Sequence, residues 1–100
     1  VISMNEFQEK ILDQKTIVLD VRTEEEYFGP LGHIEGAILI PINELENRLV
    51  ELDEYRDETI YVVCRSGNRS GFGKDILNNN NFDAINVDGG MLQWKANNEK

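Results

Sequence analysis

The sequence predicts an α/β domain with a parallel central sheet, and three observations carry that reading. Thr59-Ile60-Tyr61-Val62-Val63 is a β-branched and aromatic run free of Gly and Pro, the pattern of a strand buried on both faces of a parallel sheet. Beyond it, Phe72, Ile76 and Leu77 recur at helical intervals, so the strand passes through a short loop into a helix. Residues 16–21 and 84–87 read as further strands, with helix-like sequence between them and the Cys64 strand.

In chain order, Ser3 followed by Glu6 resembles a capping box, and Met4, Phe7, Ile11 and Leu12 form the apolar stripe of an opening amphipathic helix. The strand over 16–21 delivers Asp20 and Arg22 to the sheet edge that holds Cys64, provided the two strands are parallel. Arg22 is expected to pair with Glu25 or Glu26. Residues 24–28 make a short helix that Gly29-Pro30 breaks. Gly32-His33-Ile34 then turns the chain inward. The lone His33 is read as a structural hydrogen-bonding residue without catalytic role, and no second His or Cys offers it a partner for a metal. Residues 37–40 read as a short buried strand ended by Pro41, and Ile42, Leu45, Leu49 and Leu52 mark one amphipathic helix. Its charged face of Glu44, Glu46, Arg48 and Glu51 serves solvation. Residues 78–81, four asparagines, form a polar turn before the strand over 84–87. Gly89-Gly90 leads into a final helix carrying Met91, Leu92 and Trp94, with Trp94 read as a core anchor rather than a stacking surface.

The chemistry is expected in Cys64-Arg65-Ser66-Gly67-Asn68-Arg69-Ser70. Open α/β sheets bind ligands outside the carboxyl ends of their strands, and a helix N-terminus, with Ser70 as its expected cap, presents unpaired N–H groups to an anion. The Cys64 thiolate is a natural occupant. A free thiol titrates near ~8.5, so half ionisation near neutral pH needs a shift of about one unit, or ~1.4 kcal/mol. A helix end contributes ~0.3–2 kcal/mol towards it, and Arg65 and Arg69 add positive charge. The alternative is an inert buried cysteine. Gly67 with its access to positive φ, Asn68 with its tolerance of αL, and two arginines favour the reactive reading. Cys64 is therefore the candidate nucleophile, and Arg65, Ser66, Gly67, Asn68, Arg69 and Ser70 are the candidate anion-binding residues. Asp20 supports this loop, through hydrogen bonds to its backbone or to an arginine, or else caps locally.

A length of 100 residues suits one domain over 1–100, with a single core. Nineteen acidic against ten basic residues give a net charge of −9, which disfavours nucleic acid and anionic membrane as partners. An anionic substrate has to be recruited locally. One cysteine excludes an intramolecular disulfide, a CxxC pair and a Cys-rich zinc site. No apolar run approaches membrane-spanning length and the first residues lack a signal-peptide pattern, so a reducing, cytoplasmic setting is expected. A start at Val1 is compatible with a processed product or a piece of a longer protein.

The Cys-Arg-Ser-Gly-x-Arg-Ser loop resembles the active-site loop of single-domain rhodanese-type sulfurtransferases. Leu19-Asp20-Val21-Arg22 with Glu26-Tyr27, then Gly32-His33-Ile34-Glu35-Gly36-Ala37 leading to Ile40-Pro41, and Asp88-Gly89-Gly90 with Trp94 resemble further family motifs in the right order. The resemblance implies a three-layer rhodanese-like domain, its mostly parallel sheet flanked by helices. It implies sulfur transfer through a Cys64 persulfide, from a small anionic donor such as thiosulfate or polysulfide to a thiol or cyanide acceptor, with an acceptor protein as a further possibility. No metal or organic cofactor is implied. Cysteine phosphatases and arsenate reductases also cradle a thiolate, but usually with His before the cysteine and five residues between Cys and Arg. Here Val63 precedes Cys64 and four residues separate it from Arg69, a smaller cradle. A rhodanese-like sulfur-delivery or regulatory module of a larger protein is the alternative from another class.

Overall fold

The structure, a computed structural model, describes residues 1–99. Four strands, β1 (Ile17–Asp20), β2 (Ile38–Leu39), β3 (Thr59–Val63) and β4 (Asp83–Asn86), form one sheet in the order β2-β1-β3-β4. Every pairing in it is parallel. Parallel neighbours need crossovers, and these run through α2 (Glu24–Tyr27), two 3-10 helices and α3 (Asn68–Asn79), while α1 (Met4–Lys10) precedes β1 and α4 (Gly90–Asn98) follows β4. From β1 the chain goes outward to β2, then returns past β1 to build β3 and β4 on the other side. That reversal puts a topological switch point at the carboxyl ends of β1 and β3, where open α/β sheets bind their ligands. Asp20 lies in register with Val63, so Val21 and Cys64 leave the sheet side by side and Arg22 follows one residue on.

Strand alternation sends successive side chains to opposite faces, and each face buries its own core. Val18 and Val63 join Met4, Phe7, Val87 and Met91 beneath α1 and α4, with Trp94 packed half-buried against them. Leu19, Ile60 and Val62 join Leu45, Leu52 and Leu77 beneath α3 and the 3-10 helices. The result is three layers.

Several local expectations need correction. The apolar stripe of α1 stops short, because the helix ends at Lys10 and leaves Leu12 in a turn, 83% exposed. The single helix expected from Ile42 to Leu52 is instead two 3-10 helices, Ile42–Asn47 and Leu49–Tyr55, broken at Arg48. Spacings of three eclipse in a 3-10 helix, which is how Leu45 and Leu52 reach the core, while the spacing of four from Leu45 to Leu49 spans the break. On α3, Phe72 points outward and is 67% exposed, and the buried face is Ser70, Gly73 and Leu77. Asn78 and Asn79 continue that helix rather than starting the turn.

Arg22 does not pair with the side chain of Glu25 or Glu26. It is fully buried and forks onto Asp20, with Nη2 2.7 Å from Oδ2 and Nε 2.9 Å from Oδ1. Residues two apart on an extended chain share a face, so Asp20 is the nearer carboxylate. The remaining guanidinium donors reach the carbonyl oxygens of Glu26 and Gly32, at 3.2 and 2.9 Å. One side chain thereby ties β1 to α2 and to the His33 turn. In that turn His33 donates from Nδ1 to the carbonyl of Tyr27 at 2.9 Å and stacks on the Tyr27 ring, 3.9 Å between centroids.

Candidate active site

Cys64 follows β3 directly, and Gly67 closes the loop. Gly67 stands at φ 116°, a left-handed conformation that a side chain rarely adopts, and it is the residue before α3 begins at Asn68. The expected cap, Ser70, therefore lies inside the first turn of α3. From there its hydroxyl points back into the loop. Cys64 is 1% exposed, and its Sγ accepts the Gly67 N–H at 3.0 Å with Ser70 Oγ at 3.3 Å. Burial by itself pushes the thiol up. Hydrogen bonds from the Ser70 hydroxyl and from the backbone N–H groups of Ser70, Gly67 and Ser66 outweigh that burial, so the thiol is held below its ordinary value.

Ser70 has one proton and three takers. Besides Sγ, its Oγ lies 3.1 Å from the Gly67 carbonyl and within bonding distance of Asn86 Oδ1. Asn86, the last residue of β4, also donates from Nδ2 to the Gly67 carbonyl at 3.3 Å. A thiolate on Cys64 draws the Ser70 proton to sulfur, while Asn86 keeps the Gly67 carbonyl satisfied. Behind the loop, the first turn of α4 donates to it, with Met91 N–H on the Cys64 carbonyl at 2.8 Å and Leu92 N–H on the Arg65 carbonyl at 3.0 Å. Gly90 makes that approach possible. A Cβ there would sit 2.5 Å from the Cys64 oxygen.

The loop's two arginines have different surroundings. Arg65 is exposed, as are Ser66 and Asn68, and its guanidinium has no ion-pair partner among the described residues. Arg69 is partly buried and pairs bidentately with Glu26 of α2, Nη1 to Oε1 at 2.5 Å and Nη2 to Oε2 at 2.7 Å. This fork holds the Glu26 carboxyl down at about 2, against the opposing pull of its burial. Asp20, expected either to support the cysteine loop or to cap locally, takes the local course and spends its hydrogen bonds on the backbone N–H and guanidinium of Arg22. None of these reaches the loop. Glu26, Asn86 and Gly90 were not among the candidate site residues, although a polar Asn86 ending an otherwise apolar strand and a Gly-Gly pair before a helix were both visible signals.

The class these features define is an α/β domain with a buried cysteine sulfur among N–H and O–H donors at the switch point of a parallel sheet. The chain belongs to the rhodanese-like domain family, whose sequence model matches residues 3–97. Among solved structures it superposes on a rhodanese-like domain protein from Staphylococcus aureus with a TM-score of 0.83, at 37% identity, covering 93% of this chain and 88% of that one. It is 33% identical to a protein of Escherichia coli strain K12 named thiosulfate sulfurtransferase PspE, over 73% of this chain and 68% of that protein. It is also 38% identical to the Bacillus subtilis strain 168 protein named "Putative sulfur carrier protein YrkF", over 98% of this chain. The chain spans 52% of that relative's length. These likenesses support sulfur transfer in general terms as the chemistry of the family to which this site belongs.

Proposed function

We propose that this chain is a sulfurtransferase of the thiosulfate type, moving sulfane sulfur from thiosulfate or polysulfide to a thiol or cyanide acceptor through a Cys64 persulfide. The observation that carries the reading is a buried Cys64 sulfur ringed by donors that lower its pKa. The thiolate attacks the outer sulfur of thiosulfate, the S–S bond breaks, and its electron pair leaves with sulfite. In this reading the exposed Arg65, which has no ion-pair partner among the described residues, holds that sulfite, and Arg69 joins only when Glu26 releases it. Cyanide then takes the sulfur as thiocyanate, or a thiol takes it as a persulfide, and the Cys64 thiolate returns. Donors that stabilise the thiolate also serve the persulfide anion, so one pocket suits both halves.

Thiosulfate alone should leave a protein adduct heavier by one sulfur atom, because no second cysteine is present to discharge it. Steady-state kinetics with cyanide should be ping-pong. A Cys64→Ser variant should show neither adduct nor turnover. Wild-type protein that stays unmodified by thiosulfate and by polysulfide would sink the carrier mechanism.

A second reading is favoured by one comparison: about half of the Bacillus subtilis relative lies outside the region matched here. On it, the domain is a sulfur-delivery or regulatory part of a larger assembly, and its acceptor is a protein thiol. Loading by thiosulfate with poor transfer to cyanide and good transfer to a protein thiol would select that version.

A further inference from the structure

The pairing of Glu26 with Arg69 is more than a surface contact. Exposed ion pairs contribute little because two mobile side chains must be held together. Here the carboxylate is fixed before the arginine arrives. Glu26 closes the capping box of α2, its Oε1 accepting the Thr23 N–H at 3.2 Å and the Thr23 hydroxyl at 3.3 Å. Its own carbonyl is gripped by the buried Arg22. Arg69 meets it from the first turn of α3, one residue before the serine that bonds Cys64. Both carboxylate oxygens are then used on one guanidinium.

We propose that Glu26 is the donor-selecting residue of this site: by occupying both arms of Arg69 it withholds that cation from dianionic donors and favours donors that bring sulfur without a sulfonate group, namely alkyl persulfides. The inference rests on the sulfur-transfer reading above. With thiosulfate, a thiolate has to approach a dianion, and an arginine already neutralised by Glu26 offers that approach little. An alkyl persulfide in its protonated form brings no such charge. The Cys64 thiolate attacks the outer sulfur of R–S–SH, the S–S bond breaks, the electron pair leaves on R–S⁻, and the proton stays with the sulfur now on Cys64. Nothing in that step needs a second cation. A net charge of −9 works in the same direction, disfavouring dianions more than monoanions or neutral donors.

The test uses Glu26→Gln, which can still close the capping box, and Glu26→Asp, which keeps the charge. The ratio of kcat/KM for thiosulfate to that for a low-molecular-weight alkyl persulfide should rise about tenfold or more in Glu26→Gln, as a charge-assisted fork becomes available to the dianion. In Glu26→Asp it should stay near the wild-type ratio. An alkyl thiosulfonate, a monoanion, should fall between. A parallel measurement needs no chemistry: calorimetric binding of thiosulfate to Cys64→Ser and to Cys64→Ser with Glu26→Gln, where the second should bind about tenfold more tightly. An unmoved ratio together with unchanged or weaker binding overturns the inference and leaves sulfur transfer standing, with Glu26 merely clamping the loop. Tighter binding in a protein that no donor can load would do the reverse.

Discussion

Removing the Ser70 hydroxyl tests the electrostatics of Cys64 most directly. In Ser70→Ala the sulfur keeps its burial, which raises the thiol, and its backbone N–H partners, which lower it, but loses the side-chain donor that is the largest lowering influence. A hydrogen bond to a charged group is worth ~1.5–3 kcal/mol, and one pKa unit corresponds to ~1.4 kcal/mol, so the inflection should move up by about one to two units. At a pH below both inflections the thiolate fraction, and with it the rate of alkylation by iodoacetamide, should fall about 10- to 100-fold. The assay is the alkylation rate against pH, with thiolate ultraviolet absorbance as a second reading. The change also strips Asn86 Oδ1 of its donor, so circular dichroism should establish that the variant is folded at the assay temperature. Ser70→Thr restores a hydroxyl and should recover part of the shift. An inflection that moves by less than about half a unit in Ser70→Ala would mean that the N–H groups alone set the pKa, and the role given to Ser70 would be wrong.

Arg22→Leu should destabilise the domain by about 3–5 kcal/mol in chemical denaturation, because it leaves the fully buried Asp20 carboxylate and two carbonyls without their partner. Gly90→Ala and Gly36→Ala should differ sharply although both positions have positive φ: at Gly36 nothing lies within 4 Å of the new Cβ, while at Gly90 two backbone oxygens lie at 2.5 and 2.6 Å. Both should lose ~1–2 kcal/mol of stability to backbone strain, and only Gly90→Ala should lose ~1–3 kcal/mol more and disturb Cys64 alkylation. Glu26 sets a pH window. Its carboxyl lies at about 2 when folded against an ordinary 4.5, so its contribution is complete above the ordinary value and is lost as pH falls towards 2. Thermal melts across that window should show a shallower acid slope in Glu26→Gln than in wild type.

The layer architecture was legible because it rests on local pattern. An apolar strand over 59–63 and helical spacing after it are read within a few residues of each other, and the parallel register follows once such units repeat. Helix type and helix face were less legible. Phe72 and Leu77 are equally apolar, yet which of them meets the sheet is decided by where α3 starts, and that start depends on Gly67 rather than on the serine that looked like a cap. A shift of that start by a few residues turns the helix face. The same holds for Leu12, which fits the stripe by count and misses it because α1 ends first.

The charge pattern around the cysteine shows why a site is harder to read than its motif. Seven contiguous residues, 64–70, announce themselves, but the field they create depends on partners elsewhere in the chain. Two arginines, Arg22 and Arg69, were available to two carboxylates, Asp20 and Glu26. Sequence proximity favoured Arg22 with Glu26, four residues apart. The extended backbone at the end of β1 decides otherwise, since Asp20 and Arg22 share a face and are buried together, where an unpaired charge costs several kcal/mol. Once Asp20 has taken Arg22, only the carbonyl of Glu26 is left to that arginine, and the Glu26 carboxylate is free for Arg69, 43 residues along the chain. A choice made in the core of β1 thus sets how much positive charge the cysteine loop can offer an incoming anion. Asp20 itself makes no bond to the loop, and its bearing on the Glu26–Arg69 pair is that it takes Arg22 out of the competition for that carboxylate.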